Sequence, residues 1–346
     1  MLNNLLKTDY PHVEFIFIDD GSTDGTYDKV KTAFTNHHNI KIFTKLNGGK
    51  ASALNFGISH SNADYVICID ADTRLQSDAI TKLMYHFIFP SLGKLKKGVG
   101  AVAGNVKIGN QINILTKWQS IEYITSQNFD RKAFAYINAI TVIPGAIGAF
   151  KREAIENAGG FTSDTLAEDC DLTIRILREG YVVANENNAI AFTEAPETVK
   201  MFLKQRFRWT FGVMQTFWKN RDAFFNGTYK YLGWVALPNI LIFQFLIPLL
   251  VPFADLFMLI GIVTGNAGKI FMYYSIFMLV DASIALLAFT FEKERPFKLI
   301  WLIPQRIIYR WLMMYVLIKA FFRAIKGELQ YWGILKRTGN IKEAHV

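Results

Sequence analysis

Cysteine is nearly absent from the 346-residue chain, with Cys68 and Cys170 its only two. They show no CxxC spacing and no second pair, which excludes a disulfide framework and leaves two reduced thiols, each beside an acidic run. Two glycine patterns are missing as well. No G-x-x-x-x-G-K-[ST] and no G-x-G-x-x-G occurs, so ATPase and dinucleotide readings lose support. The N-terminus is polar and basic with no apolar run behind it, so no signal peptide is expected there. Charge is what the second half lacks. From Leu232 to Thr264 there is no Lys, Arg or Glu and one Asp, and from Ile270 to Phe291 the only charge is Asp281.

Both stretches exceed the roughly 20 apolar residues that a helix needs to cross a bilayer core of about 30 Å. The first, as one straight helix at about 1.5 Å per residue, would be about 50 Å long. It is therefore expected to kink, tilt or divide, at Pro238, Pro248 and Pro252, where the backbone loses donors. A third apolar stretch, Ile307 to Phe322, contains Arg310 and Lys319 and reads as a further span or an interfacial helix. Asp255 and Asp281, inside apolar runs, are costly unless they face a cavity, a partner or the headgroups.

The chain is 51% hydrophobic and carries a formal net charge of +9. That charge does not imply nucleic acid, because the bases cluster beside the apolar segments. Lys200, Lys204, Arg206, Arg208, Lys219, Arg221 and Lys230 precede them, and Arg323, Lys326, Lys336 and Arg337 follow, as expected for bases facing anionic lipid.

The first half carries the chemistry. Val13 to Ile18 is aromatic and β-branched and reads as a buried parallel strand ending at Asp19-Asp20-Gly21-Ser22. Ligands of open α/β sheets gather beyond the carboxyl ends of strands, which places Asp19 and Asp20 at a nucleotide; Ser22 and Asp24 suit the start of the next helix. A second strand, Tyr65 to Ile69, ends at Asp70-Ala71-Asp72. Residues two apart on an extended chain point to one side, so both carboxylates can reach one hard cation, Mg²⁺ or Mn²⁺, that also binds phosphate oxygens, although such a tripeptide also makes an ordinary solvated turn. Between them, Asn47-Gly48-Gly49-Lys50 puts Lys50 either at a phosphate or in solvent at a helix entry.

Further on, Glu168-Asp169-Cys170-Asp171 opens an amphipathic helix, where acids of the first turn also suit the macrodipole. Gln205-Arg206-Phe207-Arg208-Trp209 sets Gln205 and Trp209 at i, i+4 and Arg208 at i+3. An aromatic there suits the apolar face of a pyranose and an arginine fork suits phosphate. Met201, Phe202, Phe207 and Trp218 would equally make it a basic helix lying on a membrane.

Taken in this order, the four motifs resemble those of the family 2 processive glycosyltransferases, which make cellulose, chitin, hyaluronan and poly-N-acetylglucosamine. The resemblance covers nearly the whole chain. It implies an α/β fold of the GT-A type with a mixed, mostly parallel sheet over residues 1–196, an interfacial helix with the Q-x-x-R-W motif over 197–230, transmembrane helices over 231–325 and a basic tail over 326–346. It also implies that Asp20 contacts the uracil or ribose of a UDP-sugar, that Asp70 and Asp72 hold the metal, and that Gly145, in Pro144 to Arg152, lines the sugar pocket, though its glycines also suit tight packing. Asp169 takes the position of the general base, beside Glu168. Ala167 stands where the family usually has Thr, which removes a hydroxyl and keeps the base. Gln205, Arg208 and Trp209 take the positions that hold acceptor sugar and diphosphate.

The segment Thr193 to Thr198 and the ending Leu335 to Gly339 look most like bacterial poly-N-acetylglucosamine synthases, which implies N-acetylglucosamine as the donor sugar, a growing polysaccharide as acceptor, and a bacterial plasma membrane with the catalytic domain cytosolic. The first strand of such a domain, with its Asn-Glu motif, and N-terminal membrane helices are expected ahead of Met1, so the chain reads as N-terminally truncated. Two other readings remain open at this point: transfer of one sugar to a lipid or polyprenyl phosphate carrier, and a catalytically silent sugar-binding subunit that serves membrane or export partners.

Overall fold

Alternating short apolar strands and helices organise the first half, and long apolar helices the second. The computed structural model describes residues 1–89 and 97–326; Lys336, Arg337 and the rest of the basic tail after Lys326 lie outside the described residues. In chain order the elements of the first half are α1 (Leu2–Leu5), β1 (Phe15–Asp19), α2 (Thr26–Phe34), β2 (Ile40–Thr44), α3 (Gly49–Ser59), β3 (Tyr65–Cys68), β4 (Arg74–Leu75), α4 (Ala79–Ile88) and β5 (Val99–Ile108). There follow α5 (Ile114–Glu122), α6 (Phe129–Ala135), β6 (Gly148–Lys151), α7 (Arg152–Asn157), α8 (Glu168–Arg178), β7 (Val182–Thr193) and α9 (Val199–Lys219). The apolar helices are α10 (Leu232–Val263), α11 (Ala267–Phe291) and α12 (Leu302–Ile325).

Packing divides these elements into two units, one made of residues 1–105 and 140–191 and the other of 106–139 and 192–346. Residues 106–139, which precede the expected break at 196, group with the later helices.

In the first unit β1 and β2 pair in parallel, with Phe15 opposite Ile40 and Asp19 opposite Thr44. A parallel pair needs a crossover, and α2 supplies it. The second sheet has five strands in the order β3-β6-β5-β7-β4. It is mixed: β6 runs antiparallel to β3 and to β5, whereas bonds from Val182 N to Gly98 O and from Gly109 N to Thr193 O give β5 and β7 one direction. Strand β5 is almost wholly buried and built mainly of Ala, Val and Gly, as a strand covered on both faces requires. Helix α8 is amphipathic as expected, with Leu172, Ile174, Ile176 and Leu177 buried, and Glu168, Cys170, Asp171 and Thr173 are buried with them. Its one fully buried acid is neutralised locally: Asp171 Oδ2 accepts from Arg175 Nε at 2.8 Å and from Thr162 Oγ1 at 2.9 Å, which makes Asp171 a packing residue.

In the second unit Asn113 and Thr116 form a reciprocal cap at the start of α5. Three amide side chains then hold the chain ahead of α9. Asn110 exchanges two bonds with Ala195, Gln119 Nε2 donates to Pro196 O at 2.8 Å, and Asn113 Nδ2 donates to Glu197 O at 2.9 Å. Thr198 Oγ1 caps α9 by accepting from Met201 N.

Helix α10 runs unbroken for 32 residues. It does not divide: two wide π-helical turns, Leu232–Ala236 and Ile240–Leu246, lie just ahead of Pro238 and Pro248, and Pro252 lies inside the helix. Widening of the ladder is how a helix absorbs donors that proline removes. The hairpin to α11 is tight: a Cβ on Gly261 would meet Ile270 Cδ1, so any larger residue there requires the Ile270 side chain to shift. Among the described residues two helices, α10 and α11, are long and apolar enough to cross a membrane, and most of each is exposed.

Helix α12 answers the two acids left in the apolar runs. Arg306 forks onto Asp281 at 2.7 and 3.0 Å, and Arg310 Nη1 meets Asp255 Oδ1 at 2.8 Å. Neither Asp255 nor Asp281 is a lone charge, and each pair costs far less in an apolar setting than its parts would.

Candidate active site

Two strand ends and one helix start build the site of the first unit. The β1 end places Asp19 and Asp20 side by side, but the two point to different tasks. Asp19 is buried, and its Oδ2 accepts from Ser22 N at 3.1 Å and Thr44 Oγ1 at 3.2 Å, tying the turn to β2. Asp20 reaches the start of α3: Oδ1 accepts from Lys45 Nζ at 2.8 Å and Gly48 N at 3.0 Å, and Oδ2 from Gly49 N at 2.8 Å. A carboxylate on free amides at a helix N-terminus is favourable by charge and by hydrogen bonding. Its effect here is to fix the point from which Lys50 projects.

Lys50 is the hub. Its Nζ lies 2.6 Å from Asp70 Oδ1 and 3.3 Å from Glu168 Oε1, joining the end of β3 to the start of α8. Burial alone would lower its pKa, but the carboxylates of Asp70, Glu168 and Asp169 together hold it above the usual lysine value. Glu168 is buried, and burial raises its pKa; Lys50 opposes that and Asp169 adds to it. Gly145 makes the arrangement sterically feasible. A Cβ there would stand 2.3 Å from Lys50 Nζ and 3.4 Å from Asp70 Oδ2. Gly145 thus belongs to the cluster, and the need for close approach accounts for it.

Beside this cluster is a small, partly open cavity lined by Lys50, Cys68, Pro144, Gly145, Glu168 and Asp169, among others. Asp169 is half-buried, with Oδ1 accepting from Cys170 N at 2.8 Å; Oδ2 holds no hydrogen bond among the described residues. A carboxylate oxygen at a cavity wall, with no hydrogen bond of its own among the described residues, is placed to accept a proton. Cys68 is not a nucleophile, because burial pushes its thiol up to about 12.

The residues suit a divalent ion of a particular kind. No group of three or more His, Cys, Asp or Glu side chains that could hold a metal occurs among the described residues. Asp70 nevertheless already holds a cation, the Lys50 ammonium, and Asp72 follows two residues later with Oδ1 near Thr73 Oγ1. One or two carboxylates completed by phosphate oxygens is the donor set that Mg²⁺ or Mn²⁺ takes with a nucleotide.

In the second unit α9 carries the Gln205 to Trp209 segment. Gln205 is buried, with Oε1 unpartnered among the described residues; Trp209 and Arg208 are half-buried. The residue that sequence reasoning passed over is Arg206. Its guanidinium grips Glu122 of α5 with two 2.7 Å bonds and lies over the rings of Trp209 and Phe202, at 4.5 and 5.0 Å from their centroids. Burial disfavours its charge and Glu122 more than restores it. Arg206 occupies a position the Q-x-x-R-W pattern leaves unspecified, and Glu122 carries no motif, so neither had a local signal. Lys45, on Asp20, was missed for the same reason.

The model of the glycosyl transferase family group 2 matches residues 65–322. A poly-β-1,6-N-acetyl-D-glucosamine synthase of Staphylococcus epidermidis is 33% identical over 221 residues, 63% of this chain and 52% of that protein. The synthase of the same name from Staphylococcus aureus strain COL is 34% identical over 211 residues, 61% of this chain and 50% of that protein. The chain spans about half the length of these curated relatives. Among solved structures, the mannosyltransferase PcManGT of Pyrobaculum calidifontis, in complex with GDP-Man and Mn²⁺, superposes with a TM-score of 0.65 at 22% identity, covering 95% of this chain and 83% of that one. At that identity the likeness bears on the fold.

Proposed function

The chain belongs to the glycosyl transferase family group 2, and we propose that it extends a β-linked polysaccharide by successive transfer of N-acetylglucosamine from UDP-N-acetylglucosamine, anchored in a membrane by α10 and α11. The observation that carries this reading is a pocket lined by Lys50, Glu168 and Asp169, with Lys50 paired to both Asp70 and Glu168. The donor identity rests on the synthases of that name at 33% and 34% identity.

In this mechanism the acceptor hydroxyl attacks the anomeric carbon of the donor. The new O–C bond forms as the bond from that carbon to the phosphate oxygen breaks, UDP departs with the electron pair, and the hydroxyl proton passes to Asp169. Sugar hydroxyls are poor nucleophiles until a carboxylate within hydrogen-bond reach takes the proton. With one base and no carboxylate nucleophile assigned, displacement is direct, and inversion of an α-linked donor yields a β-linkage. A divalent ion at Asp70 and Asp72, when bound, neutralises charge on the departing diphosphate. Lys50 supplies a second positive charge there, held in place by Asp20 through the α3 amides. In the same proposal Asp19 and Asp20 border the nucleoside, Gly145 and Glu168 border the sugar, and Gln205, Arg208 and Trp209 bind acceptor sugar and diphosphate.

The test is UDP release from a panel of UDP-sugars by membranes bearing the protein, with Mg²⁺ or Mn²⁺ and with EDTA. UDP-N-acetylglucosamine is expected to give the fastest release, and chelation to slow it by about a hundredfold or more. Faster release from another UDP-sugar, or indifference to EDTA, would overturn the donor or the metal assignment respectively.

A further inference from the structure

The Lys50 ammonium sits on the carboxylate that the proposed metal needs. At 2.6 Å from Asp70 Oδ1 it holds a cation position on that oxygen, and its second partner, Glu168, is 3.3 Å away and buried. Two cations cannot share one carboxylate oxygen at such distances without strong repulsion. The contact is also made deliberately cheap: Gly145 leaves open the space through which Nζ passes, where any Cβ would stand 2.3 Å from it. Lysine is a point charge on a flexible stem, able to change partners by rotation alone.

We propose that Lys50 is a charge-exchange latch: without donor its ammonium occupies Asp70 and Glu168 and excludes the divalent ion, and with donor bound it moves to the diphosphate and yields Asp70 to the metal. The latch makes metal and nucleotide enter as a pair, so that a metal ion alone is held weakly and the carboxylates are never left uncompensated. It rests on the reading of Asp70 and Asp72 as metal-binding residues, but not on the identity of the sugar or on polymer formation. The coupling is reciprocal, as linkage requires: whatever nucleotide does for metal affinity, metal does for nucleotide affinity.

Mn²⁺ binding to the detergent-solubilised protein, read by electron paramagnetic resonance with and without UDP, tests this without any turnover. Two variants are compared with the wild type. Lys50→Met removes the competing charge, and Gly145→Ala keeps the charge but forces Nζ off its seat. Without UDP, both are expected to bind Mn²⁺ roughly tenfold more tightly than wild type, the size of a charge-assisted contact of about 1.4 kcal/mol. With UDP the order should reverse for Lys50→Met, because no ammonium is left to move to the diphosphate. Circular dichroism and thermal unfolding establish that each variant is folded.

Unchanged or weaker Mn²⁺ binding in both variants without UDP would overturn the latch. So would tightening in Lys50→Met alone, since that outcome assigns the effect to charge at a distance and not to occupation of Asp70. A failure to make polymer in the activity assay, with the Mn²⁺ titrations as expected, would sink the proposed function and leave the latch standing.

Discussion

Replacing Asp169 with Asn is expected to slow UDP-N-acetylglucosamine turnover by about 10²- to 10⁴-fold, the usual contribution of a positioned general base. The substitution is nearly isosteric, and the carboxamide oxygen can still accept from Cys170 N, so the first turn of α8 should keep its geometry. What is lost is the capacity to take a proton. Donor binding should change little, so the effect belongs in kcat, with KM within a fewfold of wild type, the pattern of an interaction made only in the transition state. Steady-state UDP release, corrected for protein in the membrane, measures both. Undiminished kcat would remove Asp169 as the base and return Glu168 to consideration. Glu168 is the weaker candidate on physical grounds: it is buried and already bound by Lys50, whereas Asp169 is half-exposed at the cavity wall.

The second large effect lies away from the proton chemistry. Arg206→Met is expected to cost about 3–5 kcal/mol of stability, because it leaves Glu122 without its bidentate partner in a largely enclosed site. It also strips the guanidinium from the faces of Trp209 and Phe202, contacts of about 0.5–2 kcal/mol when desolvated. Glu122→Gln should be destabilising for the complementary reason, since Arg206 side-chain exposure is only 3%. The pair Glu122→Leu with Arg206→Met should recover much of either loss, because two apolar groups leave no buried charge behind. Thermal unfolding in detergent decides it. A shift for Arg206→Met no larger than that of an exposed arginine would contradict the account of how α9 is anchored to α5.

Parts of this molecule were legible from residues alone, and the reason is locality. Strand β1 with its Asp19-Asp20 end, β3 before Asp70, and α8 opening at Glu168 all follow from runs of apolar residues closed by turn or first-turn chemistry. The two long apolar helices follow from length and absence of charge, and their irregular turns from the positions of Pro238 and Pro248. What stayed hidden is pairing across the chain. That Asp20 serves the α3 amides, 28 and 29 residues on, could not be read from a motif whose usual meaning is a ligand contact. Arg206 and Glu122 are 84 residues apart, and a pattern written Q-x-x-R-W directs attention away from its own second position. The acids of the apolar helices left a cavity, a partner or the headgroups open, because the arginines that pair with them, Arg306 and Arg310, lie 25 and 55 residues downstream in a helix of mixed character. Lys50 was ambiguous between phosphate and solvent because only the fold reveals that Gly145 opens the path to Asp70 and Glu168.

The proposal that sugars are added in succession is tested most directly by product length. Membranes bearing the protein at low abundance would be incubated with excess radiolabelled UDP-N-acetylglucosamine, and products sized by gel filtration and mass spectrometry while most acceptor remains unused. Long β-linked N-acetylglucosamine chains beside unreacted acceptor are the predicted result. One sugar per lipid carrier, with no longer product at any donor excess, would contradict it.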